Sequence, residues 1–300
     1  MSKYKLKGNE TFNIREGWLN KGMRAIHEHP DIFSSDNAAD VLGVGTKMVK
    51  AIRFWLLASG LAHEQINRNA RRTLHYTRNL GEIIMEHDRY FEDIFTLWII
   101  HYNIVKHEDM CTIWALFFNY FSADEFSKSA MVESMADEFK KRFESAKSVH
   151  NSIEDDCGSI LKMYTVISEE NIDPEDNTLS PFAELGLIKR SDTDKNVYLK
   201  LHPLIDTLDR HVVLYIMADN LDHDKNSVSF DALINAPDNV GRVLNFDRNL
   251  LNEYLDRLKQ DGYITINRTA GLDMVYFNEN ITPADVLRAY YNQRERDMQL

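Results

Sequence analysis

Thr46, Lys47, Lys50 and Arg53 are the residues whose types and spacing point most directly to chemistry. At one-, three- and four-residue intervals they share one side of a helix, so short polar and cationic groups line a single face. A helix entering the DNA major groove needs such groups near its start and middle. The residues around them fit that use. In SDNAADVLGVGTKMVKAIRFW (35–55), a small Ala39 is followed by Gly43 four residues on, then Val49 and Ile52. That is the spacing of a helix-turn-helix: glycine makes the turn, and the two branched residues face the interior. Further on, Arg68, Arg71, Arg72 and Arg78 interleave with Ile66, Leu74 and Tyr76. A basic β-hairpin beside the helix would reach phosphates or the minor groove. Arg15, Lys21 and Arg24 either extend the patch or are ordinary surface. A three-helix core with basic solvated faces, or a helix-turn-helix that docks only proteins, fits the same pattern.

Other clusters offer less. His87, Asp88, Asp93, His101, Asn103 and His107 surround an apolar run, the first place to look for a divalent-metal centre, but their spacing matches no ligand motif. His101, set among Trp98, Ile99, Ile100 and Tyr102, reads better as a core histidine. Glu154-Asp155-Asp156-Cys157 offers carboxylates or a thiol, and an acidic helix start explains it equally well. Acids beside Cys157 raise rather than lower a thiol pKa, which argues against a nucleophile. No Walker, Rossmann or Gly-x-Ser-x-Gly pattern occurs, so no catalytic residue is assigned.

The elements that must position these residues follow from composition. The chain has 300 residues, 44% hydrophobic, with only 12 Gly and 6 Pro, and its apolar spacing is mostly near 3.6. The expected fold is mainly α with small β wings: a winged helix-turn-helix over 1–80, a helical body over 81–167 and an acidic winged-helix-like domain over 181–300. The acidic, proline-containing stretch 168–180 is the boundary. Ser122-Ala123-Asp124-Glu125 reads as a capping box before a helix facing inward with Met131, Met135, Phe139 and Phe143. Thr282-Pro283-Ala284-Asp285 starts the last helix. Leu56 to Leu61 and Leu258 to Tyr263 echo each other, each ending a helix at glycine before an extended run. In the last domain, Arg248, Asn249, Asn252, Glu253, Asp256, Arg257 and Lys259 carry mixed sign, which suits protein contacts or a homodimer. The net charge of −12 hides a split, since residues 1–80 carry +6 and the rest −18. Two cysteines make no disulfide framework, and the longest apolar run, Ile94 to Val105, is too short to span a membrane. A cytoplasmic protein with no membrane partner is expected.

Several stretches carry a family resemblance: Glu10 through Gly22 (ETFNIREGWLNKG), Leu42 through Val49, Ile52 through Leu56, Tyr90 through His101, and Trp114 through Asn119. In that order they resemble a bacterial family long labelled a domain of unknown function, found beside cysteine-desulfurase and phosphoadenosine-phosphosulfate-reductase-like genes. Its better-understood members look like the B component of the Ssp DNA phosphorothioation and phage-defence system. Weaker likeness continues through Ser180-Pro181, Leu185-Gly186-Leu187 and Thr269-Ala270-Gly271-Leu272. The resemblance implies binding of double-stranded DNA and nicking of one strand. Partner proteins (a cysteine desulfurase, a reductase-like sulfurtransferase and an ATPase) would then place sulfur on the phosphate. A nickase of this kind would use Mg²⁺ or Mn²⁺. The chain departs from the pattern at Asn9, where the family has His before the Glu, and at Glu16, where an aromatic follows the Arg. No catalytic residue carries over. The rival reading is a non-enzymatic DNA-binding adaptor or transcription regulator.

Overall fold

Apolar residues at three- and four-residue spacing give helices, and short alternating runs after two of them, near residues 62–76 and 264–277, give hairpins reached through the end of a helix. The computed structural model describes residues 3–66, 71–143, 149–166, 180–205, 207–222, 224–269 and 272–298. The chain divides into two units, 1–201 and 202–300. The first begins with α1 (Trp18–Glu28), a 3-10 turn (Ile32–Ser34), α2 (Ala38–Leu42), α3 (Thr46–Ala58) and the antiparallel pair β1 (Ala62–Ile66) and β2 (Arg72–Tyr76). It continues with α4 (Gly81–His87), α5 (Ile94–Lys106), α6 (Thr112–Tyr120), β3 (Glu125–Ser127), α7 (Lys128–Arg142), α8 (His150–Tyr164), a 3-10 turn (Pro181–Leu185), β4 (Ile188–Arg190) and β5 (Val197–Lys200). The second unit holds α9 (Arg210–Asp219), β6 (Ser227–Ser229), α10 (Phe230–Asn235), α11 (Val240–Val243), α12 (Arg248–Gln260), β7 (Ile264–Thr269), β8 (Leu272–Phe277) and α13 (Pro283–Asp297).

The fold is mixed α and β, largely helical with small antiparallel sheets. Strand order is β3-β5-β4 in the first unit and β6-β8-β7 in the second, so in both the strand that precedes the helices lies beside the last strand. This pairing moves the boundary. Residues 188–200 belong to the first unit, not the second, because β5 pairs with β3 at Phe126↔Tyr198. The same pairing removes the capping box expected at Ser122: Glu125–Ser127 is a strand, and Ser127 caps α7 by accepting from Ala130 N. The inward face of that helix is as read, with Met131, Met135, Phe139 and Phe143 buried. The box at Thr282 and Asp285 is present in full. The first unit's core is aromatic, with Trp55 edge-on to Trp114 and Phe117 against Phe118 and Phe121. No helix among the described residues is long and apolar enough to cross a membrane.

Candidate nucleic-acid interface

Gly43 ends α2 in the left-handed region (φ 60°), where a side chain is strained, and Val44 N then bonds Ala39 O at 3.1 Å. The chain enters α3 from Gly45, with Val49 and Ile52 buried as their spacing requires. Gly22 of α1 lets the two helices close up: a Cβ there would lie 2.7 Å from Ile52 Cγ2. Trp55, Phe54 and Leu56 bury the other sides of α3, and Trp55 Nε1 donates to Phe12 O at 2.9 Å. One strip of α3 is left in solvent, and Thr46, Lys47 and Lys50 occupy it. Neither lysine makes an ion pair among the described residues. Gly45 offers no side chain to cap the helix start.

Arg53 is different. It is half-buried and pairs with Glu64 of β1, and Arg72 of β2 reaches the other oxygen of the same carboxylate at 3.3 Å. Arg71 is exposed and pairs with Asp31 at 3.5 Å, Arg78 is exposed, and Arg68 lies outside the described residues. Arg53 and Arg72 therefore share an acid that ties the hairpin to the helix, and Glu64 is the residue that counting charges along the sequence missed. Its signal was alternation, since Ala62, Glu64 and Ile66 share one strand face. A second tether is backbone: Leu74 N donates to Pro30 O at 2.8 Å.

The histidines and acids weighed as metal ligands have structural partners. Asp88 accepts from Glu92 N, Asp93 N and Thr96 Oγ1, and Asp93 caps α5 through Phe95 N. His101 is fully buried with Nδ1 2.9 Å from the Tyr164 hydroxyl, as a core histidine should be. His107 Nδ1 donates to Ala58 O at 2.7 Å. Among the described residues no three His, Cys, Asp or Glu gather as a metal site. Near α8, the opening segment passes over Asp156. Lys7 N donates to both its oxygens (3.2 and 3.1 Å), Lys7 Nζ reaches Asp155 at 2.6 Å, and buried Asn9 donates to Ser159 Oγ at 3.3 Å. Burial pushes the Asp156 carboxyl up to about 7, with the Asp155 charge adding and Lys7 opposing. Burial first, then Asp156, pushes the Cys157 thiol up, so it is a poor nucleophile.

A cleft of about 300 Å³ opens beside this segment. Arg15, Glu16, Tyr90, Glu92 and Glu184 line it, brought together from three distant stretches of chain. Arg15 is stacked on Phe12 and Trp18, and Phe91 holds a φ of 59°, which is costly for a bulky residue. Glu16, read in the sequence as a departure from the family pattern, is on the cleft wall.

A family model described as "Protein of unknown function (DUF4007)" matches residues 6–291. The chain belongs to the DUF4007 family. A search of curated proteins gives no match. Among solved structures, this DUF4007 chain is similar to "Magnesium ion-bound SspB crystal structure" (TM-score 0.84, 22% identity) and to "SspB crystal structure" (TM-score 0.84, 23% identity). Each alignment covers 96% of this chain and 88% of the other. At these identities the likeness establishes a shared fold.

Proposed function

We propose that this DUF4007 chain is the DNA-binding component of a bacterial DNA phosphorothioation and phage-defence system. The first eighty residues act as a winged helix-turn-helix, and the acidic remainder docks sulfur-transfer partners. The observation that carries the reading is the strip Thr46, Lys47 and Lys50. It is exposed, free of ion pairs among the described residues, and follows a glycine turn on a helix whose remaining residues are buried or half-buried. Exposed cations with no acid beside them are what phosphate contact requires. The charge of −18 on residues 81–300 supports the division of labour, because an acidic body repels phosphates and confines DNA to the basic end.

Strand nicking extends this reading. The magnesium ion named with the SspB structure belongs to that protein. Among the described residues here no three His, Cys, Asp or Glu gather to hold such an ion. The binding reading is tested with the double variant Lys47→Ala/Lys50→Ala. Its duplex affinity should fall about tenfold or more, and its salt slope by about 2. Unchanged affinity and slope would sink the assignment. Incubating supercoiled plasmid with the chain and Mg²⁺ or Mn²⁺ tests nicking separately: relaxed circles are the expected product, and plasmid that stays supercoiled removes the extension.

A further inference from the structure

The β1–β2 hairpin carries chemistry on its other face. His63 and His75 are direct cross-strand partners, on the side opposite buried Ala62 and Leu74. Their ring centroids stand 6.0 Å apart with planes inclined at 37°. The next pair along that face is Gln65 and Thr73. Gln65 Nε2 lies 2.8 Å from His63 Nε2, and Thr73 Oγ1 lies 3.1 Å from His75 Nε2. His63 is exposed and His75 half-buried, so neither ring serves mainly to fill the core.

We propose that His63 and His75 together chelate one borderline transition-metal cation, of the Zn²⁺, Ni²⁺ or Cu²⁺ class, across the hairpin. Directly opposed side chains in an antiparallel pair start from Cβ atoms roughly 5 Å apart, within reach of a shared ligand. A tetrahedral cation bound at about 2.0–2.1 Å to one nitrogen of each imidazole places the ring centroids roughly 5 Å apart. The observed 6.0 Å closes to that by small side-chain rotations. Imidazole has two ring nitrogens, so each ring can bind metal through one while the other keeps a hydrogen-bonding neighbour that orients it. Thr73 Oγ1 stands where the acceptor for such an N–H belongs, and Gln65 supplies one when its amide turns to present Oε1 to His63. No third His, Cys, Asp or Glu among the described residues joins the pair. The remaining positions on the cation therefore fall to water or an incoming oxygen ligand. Two nitrogen donors select against Mg²⁺, which takes oxygen ligands. The bound cation staples β1 to β2. The proposal rests on the hairpin geometry alone, not on DNA binding.

Calorimetric titration of the full chain tests it, with Zn²⁺, Ni²⁺ and Cu²⁺ as probes and Mg²⁺ as the contrast. One equivalent should weaken about tenfold or more in His63→Ala and in His75→Ala. It should persist in His29→Ala, which removes an exposed histidine elsewhere. His63→Gln keeps a hydrogen-bonding side chain and should lose the cation while melting as the parent does. The Cu²⁺-loaded chain should give electron paramagnetic resonance splitting from two nitrogens, reduced to one in either single variant. Titrations of the two His→Ala variants that match the parent would overturn the proposal. So would splitting unchanged by either substitution.

Discussion

α3 and α12 are built alike and finished differently. Each has thirteen residues, each is followed two residues later by a glycine with positive φ (Gly60 at 71°, Gly262 at 83°), and each then feeds an antiparallel hairpin. The sequence echo between Leu56–Leu61 and Leu258–Tyr263 is this shared helix–glycine–strand step. Their surroundings diverge. α3 buries seven residues on several sides and leaves one strip, whose cations lack ion pairs among the described residues. α12 buries four on one face and leaves the rest half-buried or exposed, and there basic and acidic groups are interleaved: Arg257 pairs with Glu253 at 2.7 Å, Arg268 of β7 donates to Asn252 at 3.0 Å, and Arg248 and Lys259 make no ion pair among the described residues. The same backbone step thus presents a strip of cations without acids in one place and a face of mixed sign in the other. Side chains, not the fold, set the charge that each helix carries to solvent.

The comparison breaks most easily at the burial of α3. Trp55 is fully buried, stacks edge-on to Trp114 and donates to Phe12 O, so it joins α3 to the opening segment and to α6. Trp55→Ala should cost about 3–5 kcal/mol, measured by urea unfolding, because it leaves a large cavity and an unpaired carbonyl. A loss under 1 kcal/mol would mean that α3 is held from one side only, as α12 is.

The opening segment gives the next effect. Asp156 beneath it has a carboxyl raised to about 7, above its unfolded value near 4. Between those values the folded state binds the extra proton, so this group favours folding at low pH and its contribution is lost as pH climbs through the window. Asp156→Asn should flatten that dependence and raise stability at pH 8 by on the order of 2 kcal/mol. Unfolding curves at pH 5 and pH 8 check it, and an undiminished slope in the variant would place the titration elsewhere.

How much of this was legible depends on the range of the interactions. The α2–α3 turn was readable because Gly43, Val49 and Ile52 act within one short stretch. The Thr282 cap and the buried histidine at position 101 were legible for the same reason. The unit boundary was not, since β3 and β5 pair residues 125–127 with 197–199, and nothing local at either end announces the partner. That pairing also drew Phe126 into a strand where a capping box had been expected. The cleft has no local signal, because its walls come from residues 14–20, 90–97 and 181–184. Glu64 carries no local signal of its pairing either, because a lone acid in a basic stretch reads as dilution. Only the fold shows it holding two arginines at once.

The smallest test concerns how the two helices begin. Asp247 caps α12 by accepting from Leu250 N at 2.7 Å, whereas Gly45 at the same place before α3 supplies no acceptor. Asp247→Ala should lower stability by about 1 kcal/mol, the usual worth of such a cap. At Gly45 the backbone is extended (φ −67°, ψ 156°) and a Cβ would meet nothing within 4 Å, so a capping residue fits without strain. Gly45→Asp should then gain a few tenths of a kcal/mol in stability. It should also weaken duplex binding, because its carboxylate would occupy the first-turn N–H groups and repel the phosphate they would otherwise meet. Gly45→Ser separates the two causes, since it caps without charge. If serine and aspartate weaken binding equally, the open N–H groups themselves contact the phosphate. If only aspartate does, charge at the helix start is what distinguishes α3 from α12.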